Sequence, residues 1–440
     1  MRSTVDTLSR DLMDLSVPIR SREAIQDARL VAADTVMCAL LADGPAATGR
    51  RDSTGVRQWA GPATGSARTV ELNAASAHLL ELDPVHYVTR GHPGVVVVPA
   101  LSALVDLEML TPREALDTLV LATEIMAFLG QAWGPGLSAA AVHATSFLGP
   151  VAAVAAVARV RGCSPTVVDS SMFAAVALGA GATASFGTSL KARQVGRAAQ
   201  LIVDLAATPP PDDLGSRWQD ELVRRFGEPQ EEWITDGDAP RLGHEIVVEQ
   251  VPSMFKLLPA CAFFAAPIQQ VLRVVEQHRP ADVVDLTIDV PHEAFEVNRG
   301  GLPTHPNQVP FSLEYLISCL LVAGRLGDFR TDRWLSDPAV ADLVGRVRVR
   351  PIPGEFEFVD TLLDGQLRID SPTTSVVQPL TYDARPPRST PDDLRRKWTG
   401  LARDVGTDAA ADLEALLTDL ERAERTDAGW FPTYYERHSR

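Results

Sequence analysis

IMAFLGQAWGPGLSAAAVHATSFLGPVAAVAAVA, residues 125–158, contains no Asp, Glu, Lys or Arg, and neither does SSMFAAVALGAGATASFGTSL, residues 170–190. Each run is long enough to cross a bilayer, which takes about 20 apolar residues. Both are broken by Gly, Ser, Thr, Pro or His, and their apolar content is mostly Ala, which partitions weakly into lipid. They read as buried helices of a large soluble helical core, packed closely through small side chains.

Working outward, the pattern stays helical from residue 20 to about 245. SREAIQDARLVAADTVMCALLADG (21–44) has apolar positions at three- and four-residue spacing and a terminal Gly. TPREALDTLVLATEIMAFLGQ (111–131) opens on a Thr-Pro helix start. After residue 245 the period changes. ADVVDLTIDVP (281–291) and VGRVRVRPIP (344–353) alternate apolar with polar residues as half-buried strands do, and PFSLEYLISCLLVAG (310–324) between them reads as a helix. A compact α+β lobe therefore spans 247–383. YDARPPRSTPDDLRRKWTGLARDV (382–405) is a Pro-rich linker followed by a helix start, after which the pattern returns to helix.

A chain of 440 residues suggests two domains or one with a large second lobe. Its formal net charge of -16 argues against a nucleic acid or an anionic membrane as partner, since either calls for a basic stripe. Cys38, Cys163, Cys261 and Cys319 lie far apart, with no CxxC and no His at metal spacing, so neither a disulfide framework nor a metal site is signalled. A reducing cytoplasm is the simplest compartment. The first thirty residues carry acids and no apolar block, unlike a signal peptide.

GAGATA (179–184) fits the Gly pattern of a dinucleotide-binding turn, with Asp204 downstream. That reading needs a strand before it, and VVDSSMFAAVAL (167–178) is Ala-rich without alternation. LELDPVHYVTRGHPGVVVVPALSALVDL (80–107) is more informative. Pro93 suits the first position of a helix, which places His92 beside the free N–H groups of a helix start, where an anion is favoured. His143, followed by Thr145 and Ser146, repeats the arrangement before an Ala-rich helix. The chain has only three lysines. Lys191 ends a charge-free run and Lys256 sits in VPSMFKLLPACAFFAAP (251–267) with no acid near in sequence. A lysine amid apolar residues is costly unless an anion meets it. Lys397, in DDLRRKWTG (392–400), reads as a solvated helix face.

LNAASAHLLELDPVHYVTRGHPGVVVVPAL (72–101) resembles the segment of the MmgE/PrpD family, the 2-methylcitrate dehydratase and cis-aconitate decarboxylase group, in which AHALDFDDTH precedes HPS. AVHATSFLGPVAAVAAVARVRG (141–162), SFGTSLKARQVGRAAQ (185–200), KLLPACAFFAAPI (256–268), PFSLEYLISCLLVAG and ARPPRSTPDDLRRKW (384–398) are similar to further family blocks, in the family's order and over most of the chain. The resemblance implies a mostly α fold with an α+β lid. A large all-helical domain comprises residues 1–246 and is completed by C-terminal helices 384–440, a smaller lid comprises 247–383, and the active site lies between them. It also implies a homodimer that uses neither metal nor organic cofactor.

By the same resemblance, acid/base work and carboxylate binding fall on His92, His143, Lys191, Lys256 and Tyr315, with Glu81, Asp83, His86, Thr145 and Gln194 as supporting or substrate-binding residues. The departures bear on specificity. Glu81-Leu82-Asp83-Pro84-Val85 stands where the family has Asp-Phe-Asp-Asp-Thr, Gln194 where many members have His, Ala262 for an Arg, and Ala265 for the lid His. The implied activity is a lyase acting on a small carboxylate by β-elimination through a carbanion, on a substrate other than 2-methylcitrate. Loss of phosphate, decarboxylation, epimerisation and a non-catalytic dimer are the alternatives. Without a metal, fixed cations must stabilise the developing charge.

Overall fold

A computed structural model describes residues 21–43, 59, 66–211, 214, 217–230, 247–275, 283–353, 362–383, 388–405, 409–423 and 430. The N-terminal stretch before residue 21 and the Pro-rich approach at 384–387 lie outside the described residues. Helices α1 (Arg22–Asp43), α2 (Ser66–Leu79), α3 (Pro93–Asp106), α4 (Pro112–Ala139), α5 (Ala144–Val160), α6 (Pro165–Leu178), α7 (Ser189–Ala207) and α8 (Arg217–Phe226) build the first body.

The charge-free run 125–158 becomes the second half of α4 and nearly all of α5. Helix α4 starts on a capping box: the Thr111 hydroxyl accepts from Glu114 N–H and the Glu114 carboxylate accepts from Thr111 N–H. Every residue of α5 from Thr145 to Ala158 is buried. A helix apolar all round belongs in the middle of a bundle, and α5 packs there against α3, α4, α6 and α7. Small residues set the spacing: a Cβ on Gly149 would meet Val96 Cγ1 at 2.5 Å. Among the described residues, α4 is the one helix long and apolar enough to cross a membrane, and 89% of that apolar stretch is buried within the protein.

The second charge-free run divides. Its first half is α6, and its second half leaves helix at Gly179 for an irregular loop with one 3-10 turn, Thr183–Ser185, before α7 begins. GAGATA therefore follows a helix, not a strand.

Beyond a single turn at Val247–Gln250 the chain enters a second core made by α9 (Ala265–Val275), β1 (Asp285–Val290), α10 (Leu313–Ala323), β2 (Val347–Pro351), β3 (Leu362–Asp370) and β4 (Ser375–Asp383). The sheet order is β2-β1-β3-β4. Strands β1 and β2 run parallel with Leu286 opposite Val347, and β1–β3 and β3–β4 are antiparallel. Burial alternates along β1, with Leu286, Ile288 and Val290 turned inward. The β3–β4 hairpin has no counterpart in the sequence reading. Gly365 and Pro379 interrupt its alternation, and pairing rather than local pattern holds it.

Helices α11 (Pro391–Val405) and α12 (Ala409–Ala423) leave the lid and return to the first body. Leu394, Trp398, Leu401, Leu413, Leu416 and Leu420 join its core against α1. Here the expectation for Lys397 fails. It is 1% exposed, and its ammonium donates to Asp34 Oδ2 at 2.6 Å and to the Leu82 carbonyl at 2.9 Å, while Trp398 Nε1 donates to Asp34 Oδ1 at 2.7 Å. The neighbouring charges that made the segment look solvated lie on the opposite helix face.

Candidate active site

Three helix starts meet the loop between α2 and α3. His92 is the N-cap of α3 with Pro93 at the first helical position, His143 is the N-cap of α5, and Thr188 caps α7. The positive ends of three helix dipoles favour an anion nearby. Lys191, in the first turn of α7, is 6% exposed, and Lys256, on the segment crossing from body to lid, is 2% exposed.

Both lysines turn to Glu81. The Lys191 ammonium pairs with Glu81 Oε1, and that of Lys256 stands 3.5 Å from Oε2 and donates to the Glu81 carbonyl at 3.1 Å. Burial alone would raise the Glu81 carboxyl, but Lys191 and Lys256 outweigh it and bring it down to about 2. Its backbone is left-handed, with φ +53°.

Asp83, fully buried, serves two imidazoles with one oxygen: Oδ2 lies 3.0 Å from His78 Nδ1 and 2.7 Å from His92 Nδ1. A carboxylate only accepts, so both Nδ1 atoms carry a proton toward it. His92 Nδ1 also lies 3.1 Å from the Pro84 carbonyl, and its backbone N–H donates to Thr145 Oγ1 at 3.1 Å. Burial lowers His92 to about 4 against the opposing pull of Asp83. His143 Nδ1 meets Gln194 Oε1 at 3.3 Å. That same oxygen accepts from Ala182 N–H and Ser185 Oγ, which identifies it as the amide oxygen and His143 Nδ1 as a donor. Burial, then the Lys191 cation, holds His143 well below the usual imidazole value. At neutral pH both histidines are therefore uncharged bases.

The sequence reading missed His78. Its ring contacts His92 edge-on at 5.0 Å and stacks on His143 at 5.8 Å, and its Nε2 has no hydrogen-bond partner among the described residues. The available signal was its place five residues before Asp83, in the last turn of α2. Phe186 and Phe311 were missed as well; Lys191 Nζ lies 4.8 Å and 5.8 Å from their ring centres. The cleft, with about 330 Å3 of unfilled space that includes open solvent, is lined from the body by His78, Glu81, Thr188 and Lys191 and from the lid by Asn307, Phe311 and Arg330. Nothing in the sequence around Arg330 signalled it.

His78, Asp83 and His92 are the described residues whose ligand atoms, all within 4.8 Å of one another, could close on a metal ion. Their contacts are those of hydrogen bonds to one oxygen, and the Lys256 cation already acts on both Asp83 and His92.

Two expected residues stand apart. Tyr315 lies in the lid core, fully buried, with its hydroxyl donating to the Phe329 carbonyl at 2.9 Å, so it is not brought to the histidines. His86 is buried beneath the loop, with Nδ1 accepting from Thr89 N–H at 3.4 Å. The departures Val85, Ala262 and Ala265 come together in one small apolar cluster with Met254 and Tyr87. Three separated polar-to-apolar changes are thus one local change in space.

No curated protein matches the sequence. Residues 12–208 match the MmgE/PrpD N-terminal domain and residues 258–421 match the MmgE/PrpD C-terminal domain. With both matches in order over most of its length, the chain belongs to the MmgE/PrpD family.

Proposed function

We propose that the protein is a cofactor-independent lyase that removes water from a small hydroxy-carboxylate. The family is generally dehydratase- and lyase-like, which supports the reaction class. The observation that carries the reading is the meeting of uncharged His92 and His143 with buried Lys191 and Lys256 at three helix starts. One imidazole Nε2 takes the proton next to the substrate carboxylate, leaving an aci-carboxylate whose second negative charge the lysines stabilise. The β carbon–oxygen bond then breaks, and the hydroxyl leaves as water with the proton that the imidazole took, which returns that imidazole to its uncharged state. Asp83 holds His92 for this exchange and Gln194 holds His143. Decarboxylation or epimerisation would run on the same carbanion.

A second leaving group, phosphate, is favoured by the start of α7 at the cleft, beside Arg330, whose guanidinium is itself paired with Asp328. We further propose a homodimer acting in the cytoplasm. Supporting this are four cysteines, all unpaired, and an exposed charge-free face. In that face Leu178 is 64% and Leu190 53% exposed, and the loops at 141 and 183 are joined by Thr183 N–H donating to the Ala141 carbonyl at 2.9 Å.

The test is incubation in deuterated buffer with 2-methylcitrate, citrate, cis-aconitate, smaller hydroxy-acids and O-phosphorylated hydroxy-acids, followed by NMR. Deuterium uptake or elimination that falls at least 100-fold in Lys191→Ala or His143→Ala is expected. Turnover unchanged in both variants would sink the reading.

A further inference from the structure

Resting on the proposed reading of His92 as an acid/base group, we infer that His78 is a positioning residue for it: by donating to the same oxygen of Asp83, His78 limits the hold of that carboxylate on His92 and so keeps His92 available as an uncharged base.

Two donors meet one acceptor. His78 Nδ1 stands 3.0 Å and His92 Nδ1 2.7 Å from Asp83 Oδ2, while Asp83 Oδ1 has no hydrogen-bond partner among the described residues. Each hydrogen bond that a carboxylate accepts favours its ionised form, and so weakens it as a base toward the next donor. His78, in the last turn of α2, and Asp83 both have side chains without solvent exposure, so water does not take the place of either. The His78 ring lies edge-on to His92 at 5.0 Å and stacked on His143 at 5.8 Å. It therefore stands against both imidazoles of the proposed site while its own tie runs to the carboxylate.

The other charges around His92 have places of their own. Lys256 acts on it from the crossing segment and His143 faces it from the start of α5. Lys191 is paired with Glu81, and Asp34 with Lys397 beneath the loop. Burial presses His92 down, Asp83 pulls it up, and Lys256 and His78 oppose Asp83, leaving His92 at about 4. Loss of the His78 donor would hand Asp83 to His92 undivided. His92 takes a proton only when uncharged, so a rise in its pKa moves the acid limb of kcat/KM to higher pH.

The experiment is a nitrogen-15 NMR titration of the histidine-labelled full chain in the parent, His78→Phe and His78→Asn. Phe keeps a ring against His92 and His143 but has no N–H, whereas Asn has no ring but carries an N–H near the place of Nδ1. His92 is expected to titrate about one pH unit or more higher in His78→Phe, and close to the parent in His78→Asn. The acid limb of kcat/KM should move with it, whereas loss of structural support alone would lower kcat/KM alike at every pH. The inference is overturned if His92 titrates at the parent value in His78→Phe. It is equally overturned if both variants shift His92 alike, which would make the ring and not the donated proton responsible. Should neither variant fold, the parent decides: His78 is expected to carry a proton on Nδ1 at neutral pH, and a proton on Nε2 alone overturns the inference. The titration uses no substrate, so absence of elimination would count against the proposed function and leave these shifts to decide the role of His78.

Discussion

Asp83 sets the protonation pattern at the residue scale. With His78 Nδ1 at 3.0 Å and His92 Nδ1 at 2.7 Å on one oxygen, it holds the Nδ1 proton of each ring and leaves the lone pair of uncharged His92 on Nε2. An amide in its place can turn either its oxygen or its N–H toward the rings, so it no longer obliges both Nδ1 atoms to be donors. Asp83→Asn is therefore expected to lower kcat/KM about 100-fold or more while leaving KM within a few-fold. Nitrogen-15 NMR of labelled histidine should show His92 losing its single Nδ1–H form, and a wild-type spectrum in that variant would refute the assignment. His92 and Lys191 were legible in the sequence because each belongs to a local pattern, a His-Pro helix start and a lysine closing a charge-free run. His78 was not, because its role depends on a carboxylate across a turn and on a ring from α5.

At the scale of elements, the body is closed by contacts that small or buried polar residues make possible. Helix α7 crosses α2 so closely that a Cβ on Gly196 would lie 2.5 Å from the Glu71 carbonyl oxygen. Helix α11 is tied to α1 by the buried Lys397–Asp34 pair. Removing one partner of such a pair leaves the other charge buried alone. Lys397→Met should therefore cost about 3–5 kcal/mol, read by urea denaturation. Replacing both residues, Lys397→Met with Asp34→Leu, should recover much of that loss. A loss below about 1 kcal/mol in the single variant would show that the pair does not hold α11 in place. Helices α4 and α5 were legible from their charge-free periodic run. The β3–β4 hairpin was not, since its stability comes from pairing with β1 and its own alternation is broken.

For the whole molecule, the segment that carries Lys256 toward the lid is held by two buried carboxylates of the body. Asp27 accepts from Ser253 N–H at 3.1 Å and Oγ at 2.7 Å, and Glu124 accepts from Val247 N–H and Val248 N–H, each at 2.9 Å. Burial raises Asp27 to about 6 and Glu124 to about 7, the hydrogen bonds opposing it. A carboxyl raised in the folded state contributes stability that is fully present below its unfolded pKa, near 4. That contribution is lost as pH rises through 6 to 7. Glu124 alone is expected to remove roughly 3 kcal/mol between pH 5 and pH 8, while the buried histidines, held below their unfolded value, act in the opposite direction. Denaturation at both pH values should show Glu124→Gln gaining that amount relative to the parent from pH 5 to pH 8, and an unchanged difference would exclude Glu124 as a source.

The sequence by itself determined the helical body, the change of period that opens the lid, the helix starts at His92 and His143, and the family, because each rests on neighbours within a few turns of chain. Only the tertiary structure decided which charges meet. Glu81 and Lys191 are separated by 110 residues, Glu81 and Lys256 by 175, and Asp34 and Lys397 by 363. A buried ion is tolerable only beside its counter-ion, and that partner is chosen by how the helices pack. Periodicity could show that Lys256 lies in an apolar segment, whereas packing alone gave it Glu81, buried Lys397, and placed Tyr315 in the lid core.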